Sequence, residues 1–345
     1  MKYSLFSELT DLAERKLITR RSHPFLPLDI YNYTPSAQFT PMADWTEAMN
    51  DCRGLILDRA GEIVGRPFRK FWNYEQVLAN IPSEPFTVWE KVDGSLGIAC
   101  SYGSELVCAT RGSFESEQAK WFTDYMQRYH HGFLPSDVTY LFEIVYPGNR
   151  IVVDYGNCED AILLAVMSRD GVDLWNLFDH CTRFKKAQQF DLTDFSRVSE
   201  DPQFAGQEGF VVQWESGFRA KVKLDEYKRL HRLITSCSTR TIWEMLRAGS
   251  DTQELLDRVP AEFAEWVRNQ INSLNCGAAG IRAQTQADFE KGRPYTSRKD
   301  FAAYAKQTPY AGILFRMLDG KDITETIWKL VEPQWSTPFR KDIDA

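Results

Sequence analysis

The sequence predicts an α+β protein in two parts, an antiparallel-rich domain over residues 1–245 and an all-helical domain over residues 246–345. Three observations carry that prediction. Short β-like runs with hairpin-length connections dominate the chain up to about Asp225. Helical patterns interrupt them too rarely for a regular βαβ array. Beyond Asp225 the β-like runs stop, and apolar residues recur at helical spacing.

The elements follow in order. Leu5, Phe6, Leu9, Leu12, Ala13 and Leu17 have the 3–4 spacing of an amphipathic helix. Leu55-Ile56-Leu57 and Glu62-Ile63-Val64 flank Asp58-Arg59-Ala60-Gly61, which reads as a hairpin. Further β-like runs cover residues 87–91, 96–101, 106–110, 140–145, 162–167, 209–214 and 218–224, with helical patterns near 115–130 and 176–189. In the tail, Leu255, Leu256, Val259, Phe263, Trp266, Val267, Ile271 and Leu274 follow helical spacing, and similar patterns recur near 299–306, 310–318 and 323–331. The joint is expected near Arg247-Ala248-Gly249-Ser250.

Composition excludes several classes. At 345 residues, with 43% hydrophobic and 26% charged residues, the chain has enough apolar content for a sizeable core. Its longest apolar run, Ala161 to Met167, is far short of the ~20 residues that cross a bilayer. Glu8, Asp11, Glu14 and Arg15 come too early for a signal peptide. Seven scattered cysteines without a Cys-x-x-Cys pair fit free thiols in a cytoplasmic protein, and the five histidines have no metal-ligand spacing. The net charge of −7 argues against bulk coating of nucleic acid. Ser216 to Arg240 is nevertheless locally basic, with seven Lys or Arg against Asp225 and Glu226. Such a run is commonly a solvated helix face.

Chemistry centres on Lys91-Val92-Asp93-Gly94-Ser95-Leu96. Asp-Gly between two β-like runs reads as a tight hairpin. The functional reading makes Lys91 a nucleophile toward a nucleotide α-phosphate, and a lone Lys-x-Asp-Gly match is weak support. Its company strengthens it: Cys52-Arg53-Gly54 and Lys70-Phe71-Trp72-Asn73 upstream, then Arg111-Gly112-Ser113, Leu141-Phe142-Glu143-Ile144, Glu208-Gly209-Phe210-Val211-Val212 and Ala220-Lys221-Val222-Lys223 downstream.

This ordered set resembles the covalent nucleotidyltransferase superfamily, and within it the phage-type single-strand RNA ligases of the RNA ligase 1 branch. The resemblance runs from about Cys52 to Arg240. It implies an ATP-grasp-like nucleotidyltransferase domain, an ATP-dependent RNA ligase activity, and Mg²⁺ or Mn²⁺ as cofactor. By resemblance Lys91 takes AMP, and Trp72 and Val211 sandwich the adenine. Arg53 and Lys70 hold the outgoing pyrophosphate, and Glu143 the ribose hydroxyls. Lys221 and Lys223 contact the α-phosphate, with Arg111 a further phosphate ligand where relatives often have lysine. Glu90 and Gly94 line the nucleotide site. Glu208 and Glu143 hold the metal through waters, while Asp93 orients either the loop or metal-bound waters. Crowding by Lys221, Lys223 and a metal is expected to lower the Lys91 pKa. The implied partners are RNA 5′-phosphate and 3′-hydroxyl ends, such as cleaved tRNA, and a separate end-healing enzyme, with no membrane. The helical domain is expected to select the RNA. Alternatives are a ligase for DNA or nicked duplexes and a nucleic-acid-binding module with a vestigial site.

Overall fold

The computed structural model describes residues 5–129, 135, 137–195, 198, 201–257, 259 and 261–338. The chain divides into two compact units, one up to Arg229 and one from Leu230 onward.

The first unit opens with α1 (Leu5–Glu14), β1 (Ile18–Ser22), β2 (Leu28–Tyr33), α2 (Glu47–Asp51), β3 (Arg53–Asp58) and β4 (Ile63–Gly65). The four strands form one antiparallel sheet in chain order. Leu9 and Leu12 bury the apolar face of α1 against Tyr31, Leu55 and Leu57. The Thr46 hydroxyl accepts from the Met49 N–H and so caps α2. In the β3–β4 turn, Asp58 Oδ1 accepts from the N–H groups of Ala60 and Glu62, as expected of an Asp-initiated turn.

Next come β5 (Trp72–Asn73), β6 (Phe86–Glu90), β7 (Ser95–Tyr102), β8 (Glu105–Thr110), α3 (Glu117–Tyr129), β9 (Val138–Val145), β10 (Asp160–Ser168), α4 (Trp175–His180), β11 (Gln189–Phe190), β12 (Gly209–Trp214) and β13 (Arg219–Lys223). A second sheet has the order β11-β6-β12-β13-β5, and a third has β10-β9-β7-β8. Every pairing between these strands is antiparallel except β13 with β5. The third sheet is a central layer. On one side Ile98, Val107 and Leu141 pack against Leu28, Ile30, Ile56 and Val64 of the first sheet. On the other side Ala99, Phe142 and Ile144 meet Phe122 and Met126 of α3.

The helical pattern near 176–189 is realised only as α4. Its C-cap is Cys181, after which Lys186 bridges to Leu163 beside β10. Strands β1 and β2 were not among the expected elements.

The second unit contains most of α5 (Asp225–Ser236), then α6 (Thr239–Ala248), α7 (Ala261–Gly292), α8 (Arg298–Ala305), α9 (Ala311–Leu318) and α10 (Thr324–Leu330). The expected boundary after residue 245 falls inside this unit. The reason is visible in α6: the Thr239 N–H donates to the Ser336 carbonyl (2.9 Å) and the Trp243 indole to the Trp328 carbonyl (2.8 Å), tying the helix to the end of the chain. Among the described residues, no helix is long and apolar enough to cross a membrane.

Candidate functional site

The site is built where β6 ends and β12 begins. The Lys91 backbone N–H donates to the Gly209 carbonyl (2.9 Å), which extends the β6–β12 pairing by one step. Gly209 has φ +143°, and a Cβ there would lie 2.0 Å from the Val222 carbonyl oxygen. Only glycine fits this close approach. It delivers Glu208, 3% exposed, to two lysines at once: Oε2 lies 2.8 Å from Lys91 Nζ and Oε1 2.8 Å from Lys223 Nζ.

This bridge reverses one expectation. Burial acts against the Lys91 ammonium most strongly, but Glu208, Glu143 and Asp93 together outweigh it and hold its pKa above the ordinary lysine value. The same lysines hold Glu208 below the usual carboxylate range, although its burial works the other way. Lys221, unlike Lys91, has a depressed pKa. Burial, then repulsion from Lys91, Lys223, Arg53 and Lys70, pushes it down to about 7. Lys91 differs because its nearest charges are carboxylates rather than cations.

Asp93 is committed to structure. Oδ2 accepts from the N–H groups of Val152 (2.9 Å) and Val153 (2.8 Å), Oδ1 accepts from the Tyr227 hydroxyl (2.7 Å), and its own N–H donates to the Tyr155 hydroxyl (2.9 Å). Of the two roles open to it, these bonds favour orienting the loop. Gly94 follows because a Cβ would sit 2.4 Å from the Ile144 carbonyl oxygen and 3.1 Å from Glu143 Cγ. The chain thereby runs tight against β9, which carries Glu143. Burial, with Glu208 and Asp93 adding to it against Lys91 and Arg53, pushes Glu143 up to about 7. Glu90 pairs with Phe210, and its backbone N–H donates to the Gln188 carbonyl (2.7 Å).

A second cluster is cationic. Lys70 Nζ lies 4.9, 4.3 and 4.2 Å from the ring centroids of Tyr33, Trp45 and Trp72. Arg111 sits over the Tyr33 ring at 5.4 Å and Arg53 over Phe71 at 5.7 Å. Arg53 Nη1 is buried without a hydrogen-bond partner. A buried lysine held by rings and the orphaned Arg53 donor are features a polyphosphate would satisfy.

Trp72 and Val211 are not paired as two walls of one slot. Register sets Trp72 beside Ala220 and Val212, while Val211 shares the other face of the sheet with Lys221 and Trp89. The Trp72 ring instead covers Lys70. Sequence reasoning also missed Tyr33, Trp45, Tyr155 and Tyr227, which lie outside the recognised motifs. An aromatic on a strand near Arg53 was the only available signal, and β2 itself was not identified.

The donor set accommodates a divalent metal only in part from protein. Glu143 and Glu208 are crowded carboxylates whose mutual repulsion a cation would relieve. Among the described residues, no group of three or more His, Cys, Asp or Glu could hold an ion. The other ligands would be waters and phosphate oxygens, as suits Mg²⁺.

A protein of Autographa californica nuclear polyhedrosis virus, described as "Putative bifunctional polynucleotide kinase/RNA ligase", is 28% identical over 245 residues, covering 61% of this chain and 35% of that protein. The chain thus spans about a third of the length of this curated relative. An archaeal ATP-dependent RNA ligase structure matches with a TM-score of 0.48 at 14% identity, covering 79% of each chain. A Naegleria gruberi RNA ligase variant solved with ATP and Mn matches with a TM-score of 0.34 at 16% identity, covering 46% of this chain and 54% of that one. Residues 51–227, which contain the Lys91–Glu208–Lys223 bridge and the Arg53 and Lys70 cations, match the RNA ligase family of the T4 RNA ligase 1 type, and the chain belongs to that family.

Proposed function

We propose that the chain is an ATP-dependent RNA ligase joining a 5′-phosphate end to a 3′-hydroxyl end. The observation that carries this reading is the Lys91–Glu208–Lys223 bridge, set among Lys221, Arg53, Lys70 and Arg111 in a member of this family. In the first step Lys91 Nζ, once deprotonated, attacks the α-phosphorus of ATP. The N–P bond forms, the bond to the pyrophosphate oxygen breaks, and lysyl-AMP results. An RNA 5′-phosphate oxygen then displaces the lysine, which takes up a proton, and gives RNA-adenylate. Last, the RNA 3′-hydroxyl attacks that 5′-phosphate, AMP leaves, and the proton passes to solvent.

This chain's residues do defined work in those steps. Glu208 holds Lys91 at the attacking position and separates it from Lys223. Lys221 and Lys223 offset charge on the α-phosphate, and Arg53, Lys70 and Arg111 receive the pyrophosphate. Asp93 fixes the turn that follows the nucleophile. A divalent cation held by Glu143 and Glu208 would compete with the Lys91 ammonium for these carboxylates and add positive charge beside the phosphate. Seven unpaired cysteines support a cytoplasmic setting. The kinase-and-ligase description of the viral relative supports an upstream reaction that supplies 5′-phosphates, and cleaved tRNA is the RNA proposed.

The test is incubation with α-labelled ATP and Mg²⁺, followed by denaturing electrophoresis and mapping of the labelled peptide. Label on Lys91 is expected. No covalent label would overturn the ligase reading in favour of a binding module. Equal sealing of DNA ends would overturn the choice of RNA.

A further inference from the structure

We infer that Trp45, with Tyr33, is a positioning residue that holds the Lys70 ammonium as an uncancelled charge for the departing pyrophosphate. The inference rests on the ligase reading and concerns its first step alone.

The three rings form a corner. Tyr33 and Trp45 meet edge to face at 5.3 Å and 79°, Trp45 and Trp72 at 5.5 Å and 86°. Their faces close on Lys70 Nζ at 4.9, 4.3 and 4.2 Å. The indole N–H of Trp45 donates to the Thr40 carbonyl (3.2 Å), which fixes the central wall. The stem is pinned by the Lys70 backbone N–H donating to the Asn50 carbonyl (2.7 Å).

What surrounds Lys70 decides what the cage does. Among the described residues Lys70 makes no ion pair. A carboxylate could hold an ammonium as firmly, but would neutralise it. An aromatic face attracts the cation through its quadrupole and leaves the net charge in place. The cost is visible in the environment: burial foremost, with Arg53 and Arg111 adding to it against Tyr33, lowers the Lys70 pKa. Tyr33 serves all three cations, facing Lys70 and Arg111 and hydrogen-bonded by Arg53. Arg53 and Arg111 therefore repel the Lys70 ammonium, a repulsion that a bound polyanion would relieve. Trp45 faces the Lys70 ammonium and meets the Trp72 ring edge on, so its contribution to the phosphate end passes through Lys70.

Pyrophosphate takes part only in lysyl-AMP formation and its reversal, and this sets the test. Trp45→Leu should raise, roughly tenfold, both the ATP concentration that half-saturates labelling of Lys91 and the pyrophosphate concentration that half-reverses it. Sealing of RNA supplied as 5′-adenylate should stay near the wild-type rate. Trp45→Phe, which keeps a weaker π-face, should fall between wild type and Trp45→Leu, and supplies the reading if the leucine variant does not fold. Equal loss in labelling, reversal and sealing would make Trp45 a core residue and overturn the inference. So would unchanged pyrophosphate dependence in the phenylalanine variant. Absence of labelling in the wild-type protein would instead remove the ligase reading itself.

Discussion

In the proposed first step Lys91 meets ATP as an ammonium held by Glu208, so its proton must leave before it can attack. Lys91→Ala and Lys91→Arg are both expected to abolish labelling by ATP, since alanine lacks the amine and guanidinium stays protonated at any working pH. Sealing of pre-adenylated RNA should survive in Lys91→Ala, because that substrate bypasses the lysine. Labelling retained in either variant would show that another residue is the nucleophile. Motif order put forward Lys91, Glu143 and Glu208 as candidates, and the fold brings the three together. The direction of the Lys91 pKa was not legible, because it depends on whether carboxylates or cations stand closest, and Glu208 reaches it from 117 positions away. The ring neighbours of Trp72 were not legible for a similar reason: it shares the Lys70 cation with Trp45 and Tyr33, which come from separate segments.

Among elements, the β12–β13 hairpin and the β1–β2 hairpin make separate predictions. Gly209→Ala would push a methyl into the Val222 carbonyl at a positive φ. Its expected cost is about 1–3 kcal/mol or more, read as a lower urea midpoint together with lost labelling. An unchanged midpoint would show that the strand can shift to make room. In β2, Asp29 accepts from Arg20 (2.7 Å) and Ser22 (2.6 Å). Burial would raise its pKa, but those bonds and the Arg20 charge prevail and lower it. A depressed carboxylate pKa gives stability that is present above the unfolded value near 4 and is lost as pH falls through the folded value. Thermal unfolding between pH 6 and 3 should therefore fall more steeply in wild type than in Asp29→Asn, and parallel curves would exclude this source of acid sensitivity. The same residue explains why β2 was not legible. Leu28-Asp29-Ile30-Tyr31-Asn32-Tyr33 is buried at every position, so it lacks the alternation of a half-exposed strand. By contrast, β3 and β4 announced themselves through apolar runs around an Asp-to-Gly turn.

Over the whole molecule, charge is unevenly divided. Residues 1–229 hold 25 Lys or Arg against 33 Asp or Glu, while residues 230–341 hold 16 against 13. The net of −7 thus hides an acidic first unit and a basic second one. Lys228 is already paired with Asp225 (3.1 Å) and Glu75 (3.6 Å), so the basic stretch is less available than its sequence implied. Each phosphate that the protein neutralises on single-stranded RNA contributes about 0.7 to the slope of log affinity against log salt. Changing Lys228, Arg229 and Arg232 together to Ala should reduce that slope by about 1–2 while sparing labelling by ATP. A full-sized slope in the triple variant would return the stretch to a solvated helix face.

The shared carboxylate of Glu208 has a consequence for purification. In the proposed lysyl-AMP, Lys91 loses its positive charge and gains the negative charge of the AMP phosphate, moving the chain from −7 to about −9 at neutral pH. Glu208 is then left with Lys223 as its one lysine partner. Protein carrying AMP from the cells that made it should elute later from an anion exchanger than the free form, and treatment with pyrophosphate should merge the two peaks.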